Sequence, residues 1–270
     1  MSRREQSFVE YIIEEVTKAV NVLITGSRDL KNDGGINRKN ANSIKRENGG
    51  GDDYKRPLII AIDGRCCAGK TTLAAGLKER NGWSVFHMDD FFLRPEQRTK
   101  ERLAQPGGNV DYERFLEEIL MPLRSAKIKA HGNAGRTESI TYRPFDCRRQ
   151  DFAEEVTVEA GDVVIVEGSY SCHPALRDAY DLRVFLDVSQ AEQERRLLAR
   201  NGEEGAAVFR EKWIPLEERY FEACRVREQC SACFWSGRGR MKNESALQKR
   251  ICWLLCCVTN LFRRVFVIRN

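Results

Sequence analysis

Short apolar runs and amphipathic stretches alternate along the chain from Pro57 to about Phe234. Apolar runs bounded by turn residues predict buried strands, and apolar residues three and four positions apart predict helices. The predicted strands cover 58–63, 83–88, 163–167 and 182–188, and the predicted helices cover 70–80, 112–123 and 190–200. A further helical pattern over 209–220 contains Pro215, which predicts a kink or the first turn of a new helix. This alternation predicts an α/β fold with a mostly parallel central sheet flanked by helices.

The segments on either side of this region differ in composition. Apolar residues recur at helical spacing over 6–24, so we predict an amphipathic N-terminal helix within residues 1–25. Residues 26–56 are rich in Gly, Asn, Ser and charged residues, which is typical of a flexible linker. Residues 235–270 form a basic, cysteine-containing tail. The remaining residues, 57–234, are predicted to form the α/β domain.

Composition and charge narrow the class of protein. The chain has 270 residues, 41% of them hydrophobic, which is enough for a substantial core. No secretory leader is visible, and no apolar run approaches the ~18 residues of a membrane span. Ten cysteines in such a chain predict reduced thiols and a cytoplasmic location. The net charge of +5 resides in the two ends, whose basic residues form no recognisable nucleic-acid-binding module, so we expect no nucleic-acid partner.

The sequence GRCCAGKTT joins the first predicted strand to the first predicted helix. It fits the pattern G-x-x-x-x-G-K-[ST], in which glycines let backbone N–H groups face phosphate oxygens at a helix N-terminus. We expect Lys70 to reach the terminal phosphates and the Thr71 hydroxyl to bind Mg²⁺. The predicted nucleotide-binding residues are Gly64, Arg65, Cys66, Cys67, Ala68, Gly69, Lys70, Thr71 and Thr72. Cys66 and Cys67 are interpreted as small loop residues; redox sensitivity is the alternative, because a helix N-terminus lowers thiol pKa values.

Acidic residues follow two other predicted strands. Asp89 and Asp90 come directly after the strand at 83–88, and Glu167 ends the strand at 163–167. Ligands of parallel sheets gather beyond the carboxyl ends of the strands, so we expect these carboxylates near the phosphate loop. An aspartate can accept the proton of an acceptor hydroxyl, and Glu167 can hold a metal. The alternatives are a helix cap for the aspartates and a strand-ending acid without a ligand for Glu167.

A series of motifs resembles the uridine kinase and phosphoribulokinase group of P-loop kinases, and most of all bacterial uridine kinase-like proteins. The matching stretches, in the order of that family, are GRCCAGKTT, HMDDFF, PGGNVDYERF, ITYRPFDC, VVIVEGSYSCHP, YDLRVFLDV, QERRLLARNG and FREKWIPLEERYF. They span about residues 57–234. The resemblance implies a P-loop kinase fold with a helical lid, and transfer of a phosphoryl group from ATP to a small hydroxyl compound.

The resemblance also implies residue roles on the acceptor side. Asp89 matches the base that acts on the sugar 5′-hydroxyl, and Asp111 matches a residue that binds ribose hydroxyls. Tyr142 matches an aromatic residue near the base-binding pocket, and Arg149 matches a basic residue of the substrate side. Uridine kinases have a histidine where this sequence has Cys147. Other hydroxyl acceptors therefore stay open.

A lid helix in this family supplies arginines toward the transferring phosphate, and Arg196 and Arg200 match them; the alternative is the charge of a solvated helix. We expect an ATP- and Mg²⁺-dependent kinase for the 5′-hydroxyl of uridine or cytidine. Its catalytic residues would be Asp89, Lys70, Arg196 and Arg200, with Thr71 and Glu167 at the metal. The alternatives are a kinase for another small hydroxyl metabolite, such as pantothenate or a sugar phosphate, and a nucleotide-binding regulator. The sequence predicts no oligomeric state.

The tail lies beyond the motif series. Cys230, Cys233, Cys252 and Cys256 have a spacing that roughly resembles a zinc ribbon. Residues 251–268 are apolar but interrupted by arginines, which favours a surface or packing helix over a membrane span. A third interpretation is that the tail replaces the last strand of the fold, for example through a shifted reading frame.

Overall fold

The computed structural model describes residues 3–32, 54–126, 128–129 and 138–236. The helices are α1 (Arg3–Asn32), α2 (Lys70–Asn81), α3 (Lys100–Ala104), α4 (Tyr112–Phe115), α5 (Met121–Ser125), α6 (Gln190–Val208), α7 (Ile214–Ala223) and α8 (Val226–Gln229). The strands are β1 (Tyr54–Lys55), β2 (Leu58–Gly64), β3 (Ser84–His87), β4 (Ile128–Lys129), β5 (Glu138–Tyr142), β6 (Phe145–Asp146), β7 (Asp151–Phe152), β8 (Val156–Ala160), β9 (Val163–Glu167), β10 (Leu182–Val188) and β11 (Ala232–Ser236). The 3₁₀ segments cover Met88–Phe91, Pro95–Gln97 and Pro174–Ala179, and π-helical turns cover Leu116–Leu120 and Phe209–Trp213.

A parallel sheet of five strands forms the centre of the fold. Its order is β11-β10-β2-β9-β3, and every neighbouring pair is parallel. The four strands predicted from the apolar runs all lie in this sheet, and the α/β class is confirmed. Glu167 pairs with Ile62 on one side and His87 on the other, so the ends of three strands meet at one edge.

Two apolar clusters lie on opposite faces of the sheet. Ile59 and Ala61 of β2 belong to one cluster, and Ile60 and Ile62 belong to the other, because successive side chains of a strand point to opposite faces. The first cluster is completed by the region from Met88 to Leu123 and by residues that follow β9. Helices α1 and α2 complete the second.

Helix α1 packs directly on the phosphate-loop helix α2. Its buried residues are Ile12, Ile13, Val16, Ala19 and Val20. A Cβ atom on Gly76 would lie 2.4 Å from Cδ1 of Ile13, so glycine permits this close approach. The helix is therefore part of the core and not a separate N-terminal unit. It also continues to Asn32, into residues predicted as linker, and residues 33–53 lie outside the described residues.

Helices α6 and α7 form an arm beside the carboxyl edge of the sheet. Gly202 breaks the regular path of α6 with φ 66° and ψ −178°, and the π-helical turn at Phe209–Trp213 leads into α7. Pro215 lies in the first turn of α7, and the helical backbone continues into it from the π-helical turn, since Trp213 and Ile214 both have right-handed helical φ and ψ. Pro215 therefore follows a π-helical turn within a continuous helical path.

The fifth strand corrects the prediction for the start of the tail. β11 pairs with β10 from Ala232 to Ser236, so the predicted boundary at residue 234 falls inside a strand of the central sheet. The interpretation that the tail replaces the last strand is wrong for these residues. Cys230 is buried, with its Sγ 3.9 Å from Sγ of Cys172 in the apolar core. Cys252 and Cys256, the other two cysteines of the zinc-ribbon-like spacing, lie outside the described residues. Among the described residues, no group of three or more His, Cys, Asp or Glu could hold a metal ion.

Candidate active site

The phosphate loop runs from the end of β2 to the start of α2. Gly64 has φ +137°, and a Cβ atom there would lie 2.0 Å from the carbonyl oxygen of Leu186, so only glycine fits against β10. Gly69 has φ +99° and precedes the first residue of α2 without a side-chain cap. The N–H groups at the start of a helix have no intrahelical partners. This uncapped end therefore offers donors and a positive dipole to an anion.

Lys70 lies at the start of α2 with its side chain folded onto the loop. Its Nζ donates to the carbonyl oxygens of Gly64, at 2.7 Å, and Arg65, at 3.0 Å. The Arg65 side chain binds Asp187 and Glu218 and does not line the cavity beside the loop. The two carbonyl contacts of Lys70 hold its ammonium group at the loop, where it can bind an anion.

A cavity of about 990 Å³ opens at the uncapped end of α2. Its wall includes the loop residues Cys66, Cys67, Ala68, Gly69, Lys70, Thr71 and Thr72. Basic side chains outnumber acidic ones along the wall. The basic residues are Lys70, Arg98, Arg195, Arg196, Arg200 and Lys212, and the acidic residues are Glu5, Asp89, Glu167 and Glu217. The cavity therefore favours a negatively charged ligand.

Thr71 and Glu167 both line the cavity, and their side chains are in direct contact. Oγ1 of Thr71 lies 3.2 Å from each carboxylate oxygen of Glu167. His87 holds the same carboxylate through Nδ1, 2.6 Å from Oε1 of Glu167, and this hydrogen bond raises the pKa of His87. Hydroxyl and carboxylate oxygens suit Mg²⁺, which prefers oxygen ligands and usually shares them with substrate phosphates. The two residues fit the predicted metal site.

Asp89 lies beside this pair, at the start of the 3₁₀ segment that follows β3. Its side chain is exposed to the cavity, yet protein surrounds the carboxylate closely enough that loss of solvation raises its pKa to about 6. The negative charges of Glu167 and Glu217 act in the same direction, and Lys70 opposes them. A carboxylate with this pKa is a better proton acceptor near neutral pH than an ordinary aspartate.

The substrate-side residues that the resemblance implied do not line the cavity in the structure. The Asp111 carboxylate is buried and caps α4, accepting the backbone N–H of Arg114 at 3.1 Å and Nε2 of Gln97 at 2.7 Å. Tyr142 is buried and stacked on Phe91, with ring centroids 5.3 Å apart. Arg149 is exposed. None of Asp111, Tyr142 and Arg149 lines the cavity.

Other residues line the part of the cavity near Asp89. They are Phe92, Arg98, Leu103, Asn109, Cys147 and Gln150. Nη1 of Arg98 donates to Oε1 of Gln150 at 2.6 Å, and further donors of Arg98 bind the carbonyl oxygen of Leu93. Arg98 was not predicted from the sequence. Its signal was weak, because RPEQRTKER contains several basic residues and no spacing that distinguishes one of them.

The two lid arginines both reach the cavity. Nη1 of Arg196 donates to the carbonyl oxygen of Cys67 at 3.0 Å, and its Nε donates to Glu192 at 2.8 Å. The guanidinium of Arg200 lies 5.3 Å from the ring centroid of Phe209. The arm that carries α6 therefore brings positive charge to the phosphate loop.

Glu217 of α7 was also missed by sequence reasoning. Oε2 of Glu217 accepts the backbone N–H of Cys66 at 3.0 Å, and Oε1 accepts the Ser169 hydroxyl at 2.5 Å. The carboxylate fixes the loop and adds negative charge to the cavity. Its signal was its position directly after Leu216, on the helical face that includes Phe209 and Trp213.

Cys66 and Cys67 differ in their surroundings. Cys66 is buried, and Cys67 lies on the cavity wall with φ 60°. A hydrogen bond from Cys66 lowers the pKa of the Cys67 thiol, and the positive charges of Arg200 and Lys70 lower it further. The same contact raises the pKa of Cys66.

The parallel sheet, the phosphate loop between β2 and α2, and the acids at the neighbouring strand ends define a P-loop kinase fold. No family model matches the chain. In sequence, the chain is similar to uridine kinase from Leuconostoc citreum, with 27% identity over 160 residues, 57% of this chain and 73% of that protein. Uridine kinase from Latilactobacillus sakei is 24% identical over 160 residues, 57% of this chain and 72% of that protein.

Solved structures of low sequence identity resemble the fold. A protein described as a possible uridine kinase from Bacillus stearothermophilus is 21% identical, with a TM-score of 0.48 over 66% of this chain and 89% of that one. D-glycerate 3-kinase from Cryptococcus neoformans is 17% identical, with a TM-score of 0.45 over 76% of this chain and 87% of that one. In its sequence relatives and its phosphate loop, the chain is similar to the uridine kinase-like P-loop kinases.

Proposed function

We propose that the protein is an ATP- and Mg²⁺-dependent kinase that phosphorylates the 5′-hydroxyl of a nucleoside such as uridine or cytidine. One observation carries the proposal: the uncapped phosphate loop, the Thr71–Glu167 pair and the Asp89 carboxylate all line one cavity. Phosphoryl transfer requires a positioned donor, neutralised phosphate charge and an oriented acceptor, and these parts correspond to the three requirements.

Each group has a role in this mechanism. Lys70 exchanges its two loop carbonyl partners for the terminal phosphates of the donor, and Arg196 and Arg200 approach the same charge from the lid. Thr71 and Glu167 would hold Mg²⁺, which would supply further charge neutralisation. Asp89 orients the acceptor hydroxyl and accepts its proton as the oxygen attacks the γ-phosphorus, whose bond to the bridging oxygen breaks to release ADP.

The identity of the acceptor is the finer part of the proposal. The names of the sequence relatives support uridine. Cys147 on the cavity wall, together with Asp111 and Tyr142 outside it, favours the second candidate function, which is a kinase for another small hydroxyl metabolite.

Acceptor-stimulated ADP release tests the proposal. The purified protein is mixed with ATP and Mg²⁺, without acceptor and with uridine, cytidine, pantothenate, glycerate and several sugars or sugar phosphates. Stimulation by a pyrimidine nucleoside supports the nucleoside kinase, and stimulation by another compound supports the second candidate. Equal, slow release in every sample contradicts both and favours a nucleotide-binding regulator.

The proposed location is the cytoplasm. Cys66, Cys67, Cys147, Cys172 and Cys224 are free thiols, which suits a reducing compartment. Among the described helices, none has the length and apolar character to cross a bilayer.

A further inference from the structure

The first turns of α1 form part of the cavity wall. Glu5, Phe8, Val9 and Ile12 line the same cavity as the phosphate loop. These positions are spaced by three and four residues, so they share one face of the helix. This apolar face belongs neither to the phosphate loop nor to the part of the cavity near Asp89.

This face packs in the same apolar cluster as Ala68 of the loop and Leu73 of α2. The terminal phosphate must approach Asp89 and the Thr71–Glu167 pair, so the nucleoside of the donor extends the other way along the loop. Phe8 and Val9 pack against an apolar cluster that includes Leu73 and Leu186, and both of these residues also line the cavity. A mostly apolar compartment continuous with a phosphate site suits the flat, largely apolar base of a nucleotide.

An arginine joins α1 to the phosphate loop. Oε1 of Glu5 accepts from Arg195 at 3.0 Å and from Arg196 at 3.3 Å. Arg196 in turn donates to the Cys67 carbonyl oxygen at 3.0 Å. The start of α1 is thus linked to the loop through Arg196.

The rest of α1 is firmly attached to the fold, so this wall has a fixed position. Ile12 and Ile13 are buried, and the Thr17 hydroxyl accepts from Nδ2 of Asn81 at 3.2 Å. Tyr11 packs edge-on against Phe234 of β11, with ring centroids 6.4 Å apart. A wall held at several points can contribute to ligand affinity without a large ordering cost.

We propose that the first turns of α1 complete the donor site, with Phe8 and Val9 contacting the purine base of the nucleoside triphosphate. This inference rests on the proposed function, because it requires that a nucleoside triphosphate binds the loop. It assigns to the N-terminal helix a binding role that the motif series, which begins near residue 57, does not contain.

The test compares a ligand that has a base with one that has only phosphates. ATP and inorganic tripolyphosphate, each with Mg²⁺, are titrated into the full chain by calorimetry. Phe8→Ala should weaken ATP binding about tenfold and leave tripolyphosphate binding unchanged, because only the base loses a contact. Phe8→Leu should weaken ATP binding less. Glu14→Ala, at an exposed position of the same helix outside the cavity, should leave both affinities unchanged.

Each outcome decides the proposal. If Phe8→Ala and Glu14→Ala both bind ATP as tightly as the unaltered protein, the inference is wrong while the kinase proposal stands. If Phe8→Ala loses both ligands equally, the residue supports the loop and not the base, which also overturns the inference. If the unaltered protein binds neither ligand, the proposed function fails together with it. Circular dichroism and unfolding temperature confirm that the two alanine variants are folded to the same extent.

Discussion

The hydroxyl of Tyr142 donates a 2.8 Å hydrogen bond to Oδ2 of Asp90, which keeps that carboxylate in a structural contact beside the aromatic core. The neighbouring Asp89 instead lines the cavity, near the Thr71–Glu167 pair. Two adjacent aspartates therefore have different surroundings, because the 3₁₀ segment after β3 turns their side chains in different directions. This difference supports Asp89 as the base of the proposed reaction.

We predict that Asp89→Asn lowers kcat by about 10²–10⁴-fold and changes the KM for ATP little, because the lost proton acceptor acts in the chemical step. Asp90→Asn is the matched control, since its amide oxygen can still accept the Tyr142 hydroxyl. Steady-state kinetics of both variants check this. A large loss in Asp90→Asn with Asp89→Asn nearly active would reverse the assignment.

The second prediction concerns pH. Asp89 must be ionised to accept a proton, and its pKa is raised to about 6, so the protonated and inactive fraction grows as the pH falls through 6. We expect kcat/KM to fall about tenfold per pH unit below this value and to level off above it. His87→Gln should retain this acidic limb, although His87 titrates nearby. A rate that is flat through pH 6 would exclude Asp89 as the titrating base.

The third prediction concerns the metal. Thr71→Ala and Glu167→Gln each remove one proposed oxygen ligand, and we expect the Mg²⁺ concentration for half-maximal activity to rise at least about tenfold. Thr71→Ser retains the hydroxyl and should behave nearly as the unaltered protein. Titration of Mg²⁺ at fixed ATP measures this. An unchanged requirement in Thr71→Ala would show that the metal, if used, binds elsewhere.

The fourth prediction concerns the attachment of α1. Ile13 is buried against α2, so Ile13→Ala should lower the free energy of unfolding by about 2–5 kcal/mol. Glu14→Ala, at an exposed position of the same helix, should change it by about 0.5 kcal/mol or less. Urea denaturation measures both. Equal midpoints would mean that α1 contributes little to the stability of the catalytic domain.

Local sequence patterns were sufficient to predict which residues lie at the centre of the candidate site. The phosphate loop occupies consecutive residues, and the acids at 89 and 167 follow strands whose carboxyl ends share one edge. The position of Thr71 opposite Glu167 therefore follows from two motifs and the parallel order of the strands. The predicted α/β fold has the same origin, since four of the five strands of the central sheet were visible as apolar runs.

Side-chain directions and long-range packing were not predictable in this way. Asp111 and Tyr142 match motif positions, but a helix cap and a buried ring stack decide where their polar atoms lie. The docking of α1 depends on a glycine in α2 that admits Ile13, and this contact joins residues far apart in sequence. β11 was missed because its short run lies at the end of the motif series, and its pairing with β10 is a tertiary contact.

The most direct measurement of the central claim is the transfer of radiolabelled γ-phosphate from ATP to a nucleoside. The purified chain is incubated with labelled ATP, Mg²⁺ and uridine or cytidine, and the products are separated by chromatography, with Lys70→Ala and Asp89→Asn run in parallel. The account predicts a labelled nucleoside 5′-monophosphate with the unaltered protein, and little or none with either variant. Label found only in inorganic phosphate, or a nucleotide product that persists in Lys70→Ala, would contradict it.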